Sequence, residues 1–428
     1  MRVAVIGSGI VGAAAAHHLS GRGVSVTVVD GAYPGEATQA GAGIVCPWVD
    51  HWDDEDWYRL TREGARHYPG LVEELGEDFG YARVGALLVA EEPADLEPVR
   101  ALLERRRAEA PEMGEVTDVP APSALFPPLA EDLVALHVAG AARVDGRAVR
   151  DALLHAAVAR GAEVRPGTAV LTPSGQVLVR ETRAADARAR VHARHAAPPR
   201  PAGTWRQGDP APGAPEGAPA EGAPGEGAPA EGAPSAGPAF GVGREVEGGP
   251  GGEAGEALEA DAVIVAAGAW AGEACRPLGV ELPVFPRRGQ IVHATLDGVD
   301  TAWWPIVLPR SGPYLLGFPG SRLVVGATVE DVGFAPRVTM GGLDEVLQAG
   351  LRIAPGLFGA TVTEARVGLR PVYAPGRPLI GRLTDRVVVA TGLSAYGLTA
   401  GPFAGRIAAA LALGEEPPID LTPYAPPV

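Results

Sequence analysis

The sequence predicts an α/β protein in which a parallel sheet flanked by helices is accompanied by a second, α+β domain with a mixed or antiparallel sheet. Three observations favour this fold class. The chain opens with an apolar strand, a glycine-rich turn, a helix and a second strand. Similar segments recur far downstream, at 260–274 and 386–415, and the strand-like segments between them fit a separate sheet. With 428 residues, the chain is long enough for two domains.

The opening segment, MRVAVIGSGIVGAAAAHHLSGRGVSVTVVD, predicts a strand over 3–6, a helix over 10–19 and a strand over 24–29. Gly7 permits the tight turn, Gly9 lets a pyrophosphate approach the backbone, and Gly12 lets the helix pack against the strand. The unpaired N–H groups at Ile10 and Val11 and the helix dipole favour an anion. The segment therefore predicts a Rossmann-like, dinucleotide-binding β–α–β unit.

Asp30 ends the second strand, 18 residues beyond Gly12. An acidic side chain at about this spacing accepts hydrogen bonds from ribose hydroxyls in dinucleotide-binding units. Two other interpretations of the segment are a secretory signal and a merely structural strand and helix. The signal is disfavoured because the chain continues without a break into VSVTVVD, a second strand that a cleaved leader does not need.

Composition excludes several classes of protein. Asp and Glu outnumber Lys and Arg by 52 to 36, and the net charge of −16 argues against a nucleic-acid partner or an anionic membrane surface. The sequence contains no lysine, which removes lysine-based chemistry. Two cysteines, Cys46 and Cys275, make neither a disulfide framework nor a metal cluster, and no metal site is expected. No apolar run predicts a transmembrane segment. We expect a cytoplasmic protein, and the sequence leaves its oligomeric state open.

Residues 182–255 differ in composition from the rest of the chain. An Arg- and Ala-rich stretch leads into GAPEGAPAEGAPGEGAPAEGAPSAGPAFG, an imperfect repeat of Gly, Ala, Pro and Glu. Almost none of these side chains can be buried, so no burial term offsets the entropy cost of ordering them. We expect a disordered insertion that interrupts a connection between two strands. A partner-binding role for this loop is the alternative.

Several other segments predict ordinary elements. The spacing of apolar residues predicts amphipathic helices over 57–67, ended by Pro69, and over 95–110. GALLVA at 85–90, QIVHATL at 290–296 and RLVVGATV at 322–329 predict strands of a separate sheet. Residues 343–352 predict a further helix, with Pro355 just beyond its end.

The downstream segments favour a flavin over a nicotinamide cofactor. A nicotinamide enzyme would place its catalytic domain after one contiguous nucleotide domain. Here a strand, a glycine-rich turn and a long helix of small residues lie near the end of the chain, at 386–415. This layout brings a second helix N-terminus to one ligand. Its dipole suits the negative charge that reduction places at flavin N1 and the C2 carbonyl.

Six further motifs, taken together, match one known family. They are GEATQAGAGIVCPW (35–48), ADAVIVAAGAW (260–270), PRRGQIVH (286–293), LVVGATVEDVGF (323–334), VGLRPVYAPGRPLIGR (367–382) and GLSAYGLTAGPFAGRIAAAL (392–411). With the opening unit, they make the chain resemble the FAD-dependent D-amino-acid oxidase superfamily, on the branch of glycine oxidase, sarcosine oxidase and the small subunit of D-amino-acid dehydrogenase.

The resemblance implies a discontinuous FAD-binding domain formed by residues 1–47, 144–181, 256–280 and 365–428. It implies a substrate-binding domain formed by residues 48–143 and 281–364. FAD is expected to be non-covalent, since no cysteine stands just after GLRP, where sarcosine oxidases tether the flavin. The residues expected to bind FAD are Gly7, Gly9, Ile10, Val11, Gly12, Asp30, Thr38, Gln39, Ala40, Gly43, Gly268, Gly392, Ser394, Ala395, Tyr396, Gly397, Leu398 and Thr399.

Two catalytic-site residues follow from the resemblance. It implies that Arg370, in GLRP, forms a bidentate pair with the substrate carboxylate, which a planar guanidinium suits. Tyr314, in SGPYLLGF, resembles a family tyrosine that often reaches the substrate. The alternatives are a structural ion pair for Arg370 and a half-buried strand tyrosine for Tyr314. The chain has LSAY at 393–396 where glycine oxidases have His-Phe-Arg-Asn, so the substrate stays open.

These features predict oxidation of the Cα–N bond of a small amino acid by hydride transfer to flavin N5, giving an imino acid and then a keto acid. The substrate class is a D-amino acid, glycine or an N-methyl amino acid. Oxygen or another acceptor takes the electrons; the absence of the lysine that sarcosine oxidases use with oxygen leaves a dehydrogenase open. A glycine-oxidase-like step that supplies an imine for thiazole synthesis and a non-catalytic flavin-binding module are the alternatives.

Overall fold

The computed structural model describes residues 1–180, 255–310 and 312–427. Residues 182–254 of the predicted insertion lie outside the described residues, so its disorder stays a prediction. The described residues belong to a single unit defined by their mutual contacts. The predicted division into two domains therefore also stays a prediction.

Seven α-helices lie in the described residues. They are α1 (Ile10–Ser20), α2 (Glu55–Leu75), α3 (Glu97–Arg106), α4 (Gly146–Ala159), α5 (Ala271–Cys275), α6 (Met340–Ile353) and α7 (Gly397–Leu413). The strands are β1 (Arg2–Ile6), β2 (Ser25–Asp30), β3 (Ile44–Val45), β4 (Ala82–Arg83), β5 (Ala86–Ala90), β6 (Val116–Val119), β7 (Val134–Val138), β8 (Ala142–Arg143), β9 (Glu163–Pro166), β10 (Thr168–Leu171), β11 (Val177–Arg180), β12 (Glu256–Leu258), β13 (Ala262–Val265), β14 (Val284–Thr295), β15 (Ile306–Pro309), β16 (Tyr314–Phe318), β17 (Arg322–Gly326), β18 (Thr361–Tyr373), β19 (Leu379–Arg382) and β20 (Val387–Thr391).

A six-stranded sheet has the order β19-β20-β13-β1-β2-β9. Its strands pair in parallel except β19, which is antiparallel to β20. Alternate residues of the central strand β1 point to opposite faces. Val3 and Val5 pack with α1, α4 and α7, whereas Ala4 and Ile6 pack with β11 and α5. The predicted α/β fold is confirmed: this sheet is buried on both faces, as parallel sheets require.

An eight-stranded sheet has the order β18-β14-β17-β16-β15-β5-β7-β6, in which only the β15–β5 pair is parallel. The three strands predicted at 85–90, 290–296 and 322–329 are β5, part of β14 and β17, and all lie in this mixed sheet. Residues 365–373, which the predicted boundaries give to the first domain, lie in its edge strand β18. This strand carries Arg370, so its position sets the position of the candidate site.

The strands on either side of the insertion are neighbours. In a three-stranded sheet of order β10-β11-β12, β11 and β12 are antiparallel and Val177 lies opposite Leu258. The long connection therefore leaves and re-enters the described fold at adjacent strands. Lengthening such a connection costs little, about 0.6 kcal/mol per doubling of a flexible loop.

Two predicted helix ends are wrong: the helix predicted over 95–110 is α3, which ends at Arg106, and the helix predicted to end before Pro69 continues past it. Helix α2 runs from Glu55 through Pro69 to Leu75, past the residue predicted to end it. A proline inside a helix costs about 3 kcal/mol because it removes a backbone hydrogen bond. The apolar face of α2 continues on both sides of Pro69, with Tyr68 and Leu71 0% and 1% exposed. We attribute the uninterrupted helix to this burial, since each large buried side chain contributes about 1.5–3 kcal/mol.

The described helices differ from membrane-spanning segments in length or polarity. None of those in the described ranges is both long and apolar enough to cross a bilayer.

Candidate functional site

The turn between β1 and α1 leaves no room for side chains. Gly7 has a φ of +99°, and a Cβ at this residue would lie 2.6 Å from the carbonyl oxygen of Ala266. A Cβ on Gly12 would lie 1.9 Å from the carbonyl oxygen of Gly7. Both contacts are sterically forbidden, so these positions require glycine. Helix α1 therefore packs directly against the turn.

The N-terminus of α1 is open to an anion. Gly9 is its N-cap and contributes no side chain, and no acidic residue lies in the first turn. The backbone N–H of Ile10 donates to Thr38 Oγ1 at 3.0 Å. Thr38, predicted from the loop after β2, thus lies at this helix end with Gly9, Ile10 and Val11. The remaining N–H groups and the helix dipole can bind a pyrophosphate.

Asp30 is held in place at the end of β2. Its Oδ1 accepts a hydrogen bond from the backbone N–H of Ala32 at 2.7 Å, and its Oδ2 accepts one from Ser8 Oγ. Arg150 Nη2 lies 3.8 Å from Oδ2, and Arg150 Nε donates to the Ser8 carbonyl oxygen at 2.9 Å. Sequence reasoning missed Arg150 because it comes from α4, far along the chain. Burial and the neighbouring Asp30 charge raise the pKa of a second carboxyl group, Glu36.

The glycine-rich loop after β2 packs between α4 and β18. Gly43 has a φ of +94°, and a Cβ there would lie 1.8 Å from the Val144 carbonyl oxygen. A Cβ on Gly368 of β18 would lie 3.1 Å from Cβ of Ala40. Gln39 and Ala40 belong to one 3-10 turn, Ala37–Ala40. The loop therefore extends from the N-terminus of α1 to the strand that carries Arg370.

Two downstream turns meet at the end of the six-stranded sheet. Thr391 Oγ1, at the end of β20, donates to the carbonyl oxygen of Gly268, after β13, at 2.8 Å. Positive φ angles occur at Gly268 (+54°), Gly392 (+78°) and Ser394 (+48°). Ala395 follows and is exposed. The predicted residues of both turns therefore lie side by side, although more than 100 positions separate them in the sequence.

Helix α7 begins directly after the second turn. Leu393 forms an antiparallel bridge with Val372 of β18, two residues beyond Arg370. No heavy atom lies within 4 Å of a Cβ placed on Gly397, the first residue of α7. Thr399 Oγ1 donates to the Ile44 carbonyl oxygen at 2.9 Å, which ties α7 to the glycine-rich loop. The helix N-terminus is thus held against this loop and β18.

Pro402 explains an unusual contact in the first turns of α7. As a proline, Pro402 has no N–H to donate to the Leu398 carbonyl oxygen, four residues earlier. Tyr68 Oη of α2 donates to that oxygen instead. The tyrosine is 0% exposed, so its hydroxyl also needs this partner. Helices α2 and α7 are therefore joined next to the site.

Tyr396 belongs to a cluster that sequence reasoning missed. Its hydroxyl hydrogen-bonds with Asp50, and its ring lies 4.3 Å from that of His51 and 5.2 Å from that of Trp57. Burial raises the pKa of Asp50 to about 6 and lowers the pKa of His51 to about 4. The backbone carbonyls of Asp50 and His51 both accept hydrogen bonds from Arg106. No sequence motif links these residues, which come from three separate segments.

Arg370 presents its guanidinium over a glycine. A Cβ on Gly289 of β14 would lie 2.4 Å from Nη2 and 2.5 Å from Cζ of Arg370. Nη1 donates to the carbonyl oxygens of Thr328 at 3.0 Å and Arg288 at 3.3 Å. Within the described part of the chain, no Asp or Glu side chain forms an ion pair with Arg370. The half-buried guanidinium thus has no acidic partner in these ranges, and the N–H groups that the two carbonyl oxygens do not engage stay available for a carboxylate.

Tyr314 lies beside this guanidinium. Its hydroxyl hydrogen-bonds with Arg370, and burial raises the pKa of that hydroxyl against the opposing effect of the arginine. The same hydroxyl lies 3.2 Å from a Cβ placed on Gly326. The structure therefore brings together the two predicted catalytic residues. The surroundings of Tyr314 are apolar, because it packs against a buried cluster that contains Trp48 and Ile291.

The arrangement fits a bound FAD. The open N-terminus of α1 can hold the pyrophosphate and Asp30 the ribose, while Gly268, Gly392 and Gly397 form a cradle in which side chains would obstruct a planar ring. Arg370 and Tyr314 lie on the strands facing that cradle. Cys46, three residues after Gly43, is 3% exposed, and burial raises the pKa of its thiol, so we expect it to be inert.

Comparisons with known proteins show the family of the chain. The chain is 37% identical over 433 residues to the oxidoreductase YurR of Bacillus subtilis, covering 99% of this chain and 97% of that protein. It is 39% identical to the structure of iminodiacetate oxidase from Chelativorans sp. BNC1, with a TM-score of 0.80 and 99% of each chain covered. It is 34% identical over 171 residues to glycine oxidase of Pseudomonas putida, covering 40% of this chain and 46% of that protein. The FAD dependent oxidoreductase family matches residues 2–197 and 226–411, and the chain belongs to this FAD-dependent family.

Proposed function

We propose that this protein oxidises the Cα–N bond of a small amino acid to an imine, which water hydrolyses to a keto acid and an amine. The observation that carries the proposal is Arg370, a half-buried guanidinium with no acidic partner in the described residues, 3.0 Å from the Thr328 carbonyl oxygen and beside the flavin cradle. A buried cation without a counter-charge is costly. A substrate carboxylate would remove that cost.

The residues of this chain mainly bind the substrate and orient it. Arg370 pairs with the substrate carboxylate through two parallel hydrogen bonds, and the Tyr314 hydroxyl restricts the guanidinium and reaches the same end of the substrate. The apolar wall near Trp48 and Ile291 excludes water from the reacting Cα–H. When bound, FAD supplies the hydride acceptor at N5. Fixing the Cα–H toward that atom accounts for the rate enhancement without an additional catalytic base.

The substrate must carry a neutral amine to lose hydride from Cα. Near the site, His51 has its pKa lowered to about 4 by burial and is therefore an uncharged imidazole at neutral pH. Asp50 has its pKa raised to about 6 and is bound by the Tyr396 hydroxyl. The uncharged His51 ring adds no positive charge to the site. It therefore does not compete with Arg370 for the carboxylate.

For the substrate class, we favour an N-substituted glycine. The iminodiacetate oxidase to which the chain is similar acts, by its name, on a secondary amine with a glycine unit, and that similarity covers 99% of both chains. Glycine itself is the second candidate, since the similarity to glycine oxidase covers 40% of this chain. In that case, the enzyme would supply an imine for thiazole synthesis.

Steady-state kinetics would test the proposal. The panel is iminodiacetate, N-methylglycine, glycine, D-alanine and D-proline, each assayed for keto-acid formation with oxygen and with a dye as electron acceptor. We expect one of the first two compounds to give the highest kcat/KM. A preference for glycine would favour the second candidate. Flavin-loaded protein that produces no keto acid from any of them would contradict the proposal.

A further inference from the structure

Two adjacent arginines of β14 form two very different ion pairs with two adjacent acids. Arg287 pairs with Asp331 at the surface, with Nε 2.8 Å from Oδ1, and the two side chains are 34% and 60% exposed. Arg288 pairs with Glu330, and these side chains are only 6% and 23% exposed. Exposed pairs contribute little to stability, whereas breaking a buried pair leaves an uncompensated charge. Arg287 lies opposite Arg370 in the pairing of β14 with β18, whereas Arg288 provides a backbone carbonyl oxygen that accepts a hydrogen bond from Arg370.

Glu330 is the centre of a hydrogen-bond network. Its Oε1 accepts hydrogen bonds from Thr328 Oγ1 at 2.7 Å, Gln290 Nε2 at 2.8 Å and Arg288 Nε at 3.2 Å, and its Oε2 accepts one from Arg288 Nη2. These donors, Arg288 first, lower the pKa of Glu330 to about 2. Gln290 is 0% exposed and also hydrogen-bonds with Thr339, at the N-cap of α6. The carboxylate is thus ionised and fully engaged.

The same network fixes the backbone that holds Arg370. The two carbonyl oxygens that accept hydrogen bonds from Arg370 Nη1 belong to Thr328 and Arg288, whose side chains both bind Glu330. Arg288 and Glu330 are also joined through their backbones, with N···O distances of 2.8 Å and 3.0 Å. Displacing the Glu330 side chain would therefore disturb both acceptors of Arg370 at once.

The same network also determines which arginine has a carboxylate as its counter-charge. Arg288 and Arg370 are connected through the Arg288 carbonyl oxygen, which accepts a hydrogen bond from Arg370 Nη1 at 3.3 Å. Glu330 neutralises Arg288, and no acidic side chain in the described ranges neutralises Arg370. The consequence is one neutralised, structural arginine and one free arginine. A free guanidinium is what recognition of a carboxylate requires.

The geometry points to Glu330 as a positioning residue for substrate binding: it neutralises Arg288 and fixes the Arg288 and Thr328 carbonyls, so that Arg370 stays free and aligned for the substrate carboxylate. This inference rests on the proposed role of Arg370. It concerns binding rather than the oxidation step, because Glu330 is separated from the reacting atoms by Arg370.

Glu330→Gln tests the inference, with Asp331→Asn as the matched control. The first change removes the buried negative charge, and the second removes the exposed one at the next position. We expect Glu330→Gln to raise KM for the amino acid about tenfold, equivalent to about 1.4 kcal/mol, with kcat changed by less than about twofold. We expect Asp331→Asn to behave as the unsubstituted protein.

A binding measurement on the flavin-loaded protein separates this inference from the proposed function. Acetate serves as a carboxylate probe, and its Kd is read from the perturbed flavin spectrum without any turnover. We expect Glu330→Gln to weaken acetate binding by the same factor as it raises KM. If acetate binds and Arg370→Ala abolishes binding, but Glu330→Gln and Asp331→Asn are alike, the inference is wrong and the role of Arg370 stands. If acetate does not perturb the flavin spectrum of the unsubstituted protein, the proposed function fails first, and the inference fails with it.

Thr328→Val is a second, milder variant. It removes the 2.7 Å hydrogen bond to Glu330 and the acceptor of the Gln290 backbone N–H at 2.9 Å, and it keeps the β-branched shape and the Arg288 pair. We expect a KM between those of Glu330→Gln and the unsubstituted protein. If Glu330→Gln does not fold, Thr328→Val decides alone, and an unchanged KM together with an unchanged Kd for acetate overturns the inference.

Discussion

Gly289 and Arg370 lie so close on neighbouring strands that a Cβ on the glycine would be 2.4 Å from Nη2 of the arginine. Gly289→Ala should therefore push the guanidinium out of place while leaving the strands paired. We expect KM for the amino acid to rise about tenfold or more and FAD content to stay the same. Gly359→Ala is the control, because a Cβ there meets no atom within 4 Å. Equal KM values for the two variants would contradict the placement of Arg370.

Removing the arginine should have a larger effect. Arg370→Ala eliminates the charge-assisted pair, and we expect KM to rise at least about 100-fold, since a charged hydrogen-bonded pair contributes about 3 kcal/mol or more. Bound flavin, measured by absorbance, should be retained. Arg310→Ala is the matched control, since that arginine pairs with Asp95 at the surface. Unchanged kinetics in Arg370→Ala would exclude the assignment.

Tyr314 should contribute less than Arg370. Tyr314→Phe removes only the hydroxyl that hydrogen-bonds with Arg370. A neutral hydroxyl in such a contact contributes about 1 kcal/mol, so we expect KM to rise about fivefold. Tyr81→Phe, in a ring stacked 5.2 Å from that of Tyr68, controls for a general effect of removing a phenol. A loss confined to kcat would indicate that Tyr314 acts in the chemical step instead.

Gly12 should be essential for binding FAD rather than for folding. A Cβ there would lie 1.9 Å from the Gly7 carbonyl oxygen, so Gly12→Ala must move α1 away from the turn. We expect purified Gly12→Ala to contain little flavin, as measured by the ratio of visible to ultraviolet absorbance. Gly70→Ala, in an open position of α2, should keep a normal ratio. Full flavin occupancy in Gly12→Ala would contradict pyrophosphate binding at this turn.

Buried histidines should make the fold sensitive to acid. His18 and His67 have ring centroids 5.5 Å apart, and burial lowers their pKa values from 6.5 to about 2 and about 4. The unfolded chain therefore binds more protons than the folded protein below about pH 6.5, so the free energy of unfolding should fall as the pH drops from about 6.5 to 4. Asp50, with its pKa raised to about 6, acts in the opposite direction and offsets part of this loss.

Urea unfolding at pH 7 and pH 5 measures this effect. His67→Leu should reduce the difference in unfolding free energy between the two pH values by about 2 kcal/mol. His155→Leu, at an exposed position of α4, should leave the difference unchanged. A difference that does not respond to His67→Leu would show that other groups cause the acid sensitivity.

The opening unit was predictable because its constraints are local. Gly7, Gly9 and Gly12 lie within one turn, and their steric role can be read from their spacing. The helix through Pro69 was not predictable in this way. Local propensity ends a helix at proline, whereas the burial of Tyr68 and Leu71 depends on α7, more than 300 residues further along.

The candidate site was likewise only partly predictable from the sequence. Arg370 and Tyr314 were found through motifs that resemble a family, and the structure places them in contact. Glu330 and Asp50 gave no such signal. Their importance comes from contacts with residues about 40 and 346 positions away, Arg288 and Tyr396 respectively, which only the paired strands and packed helices bring together. Arg150 was missed for the same reason.

The most direct test of the central claim is an anaerobic visible spectrum of the purified protein, recorded before and after addition of iminodiacetate, N-methylglycine, glycine and D-amino acids. We predict a yellow protein whose flavin absorbance is bleached by at least one of these compounds, and readmitting air then shows whether oxygen is the acceptor. A flavin spectrum that none of them bleaches, in protein that still binds FAD, would contradict amino-acid oxidation at Arg370.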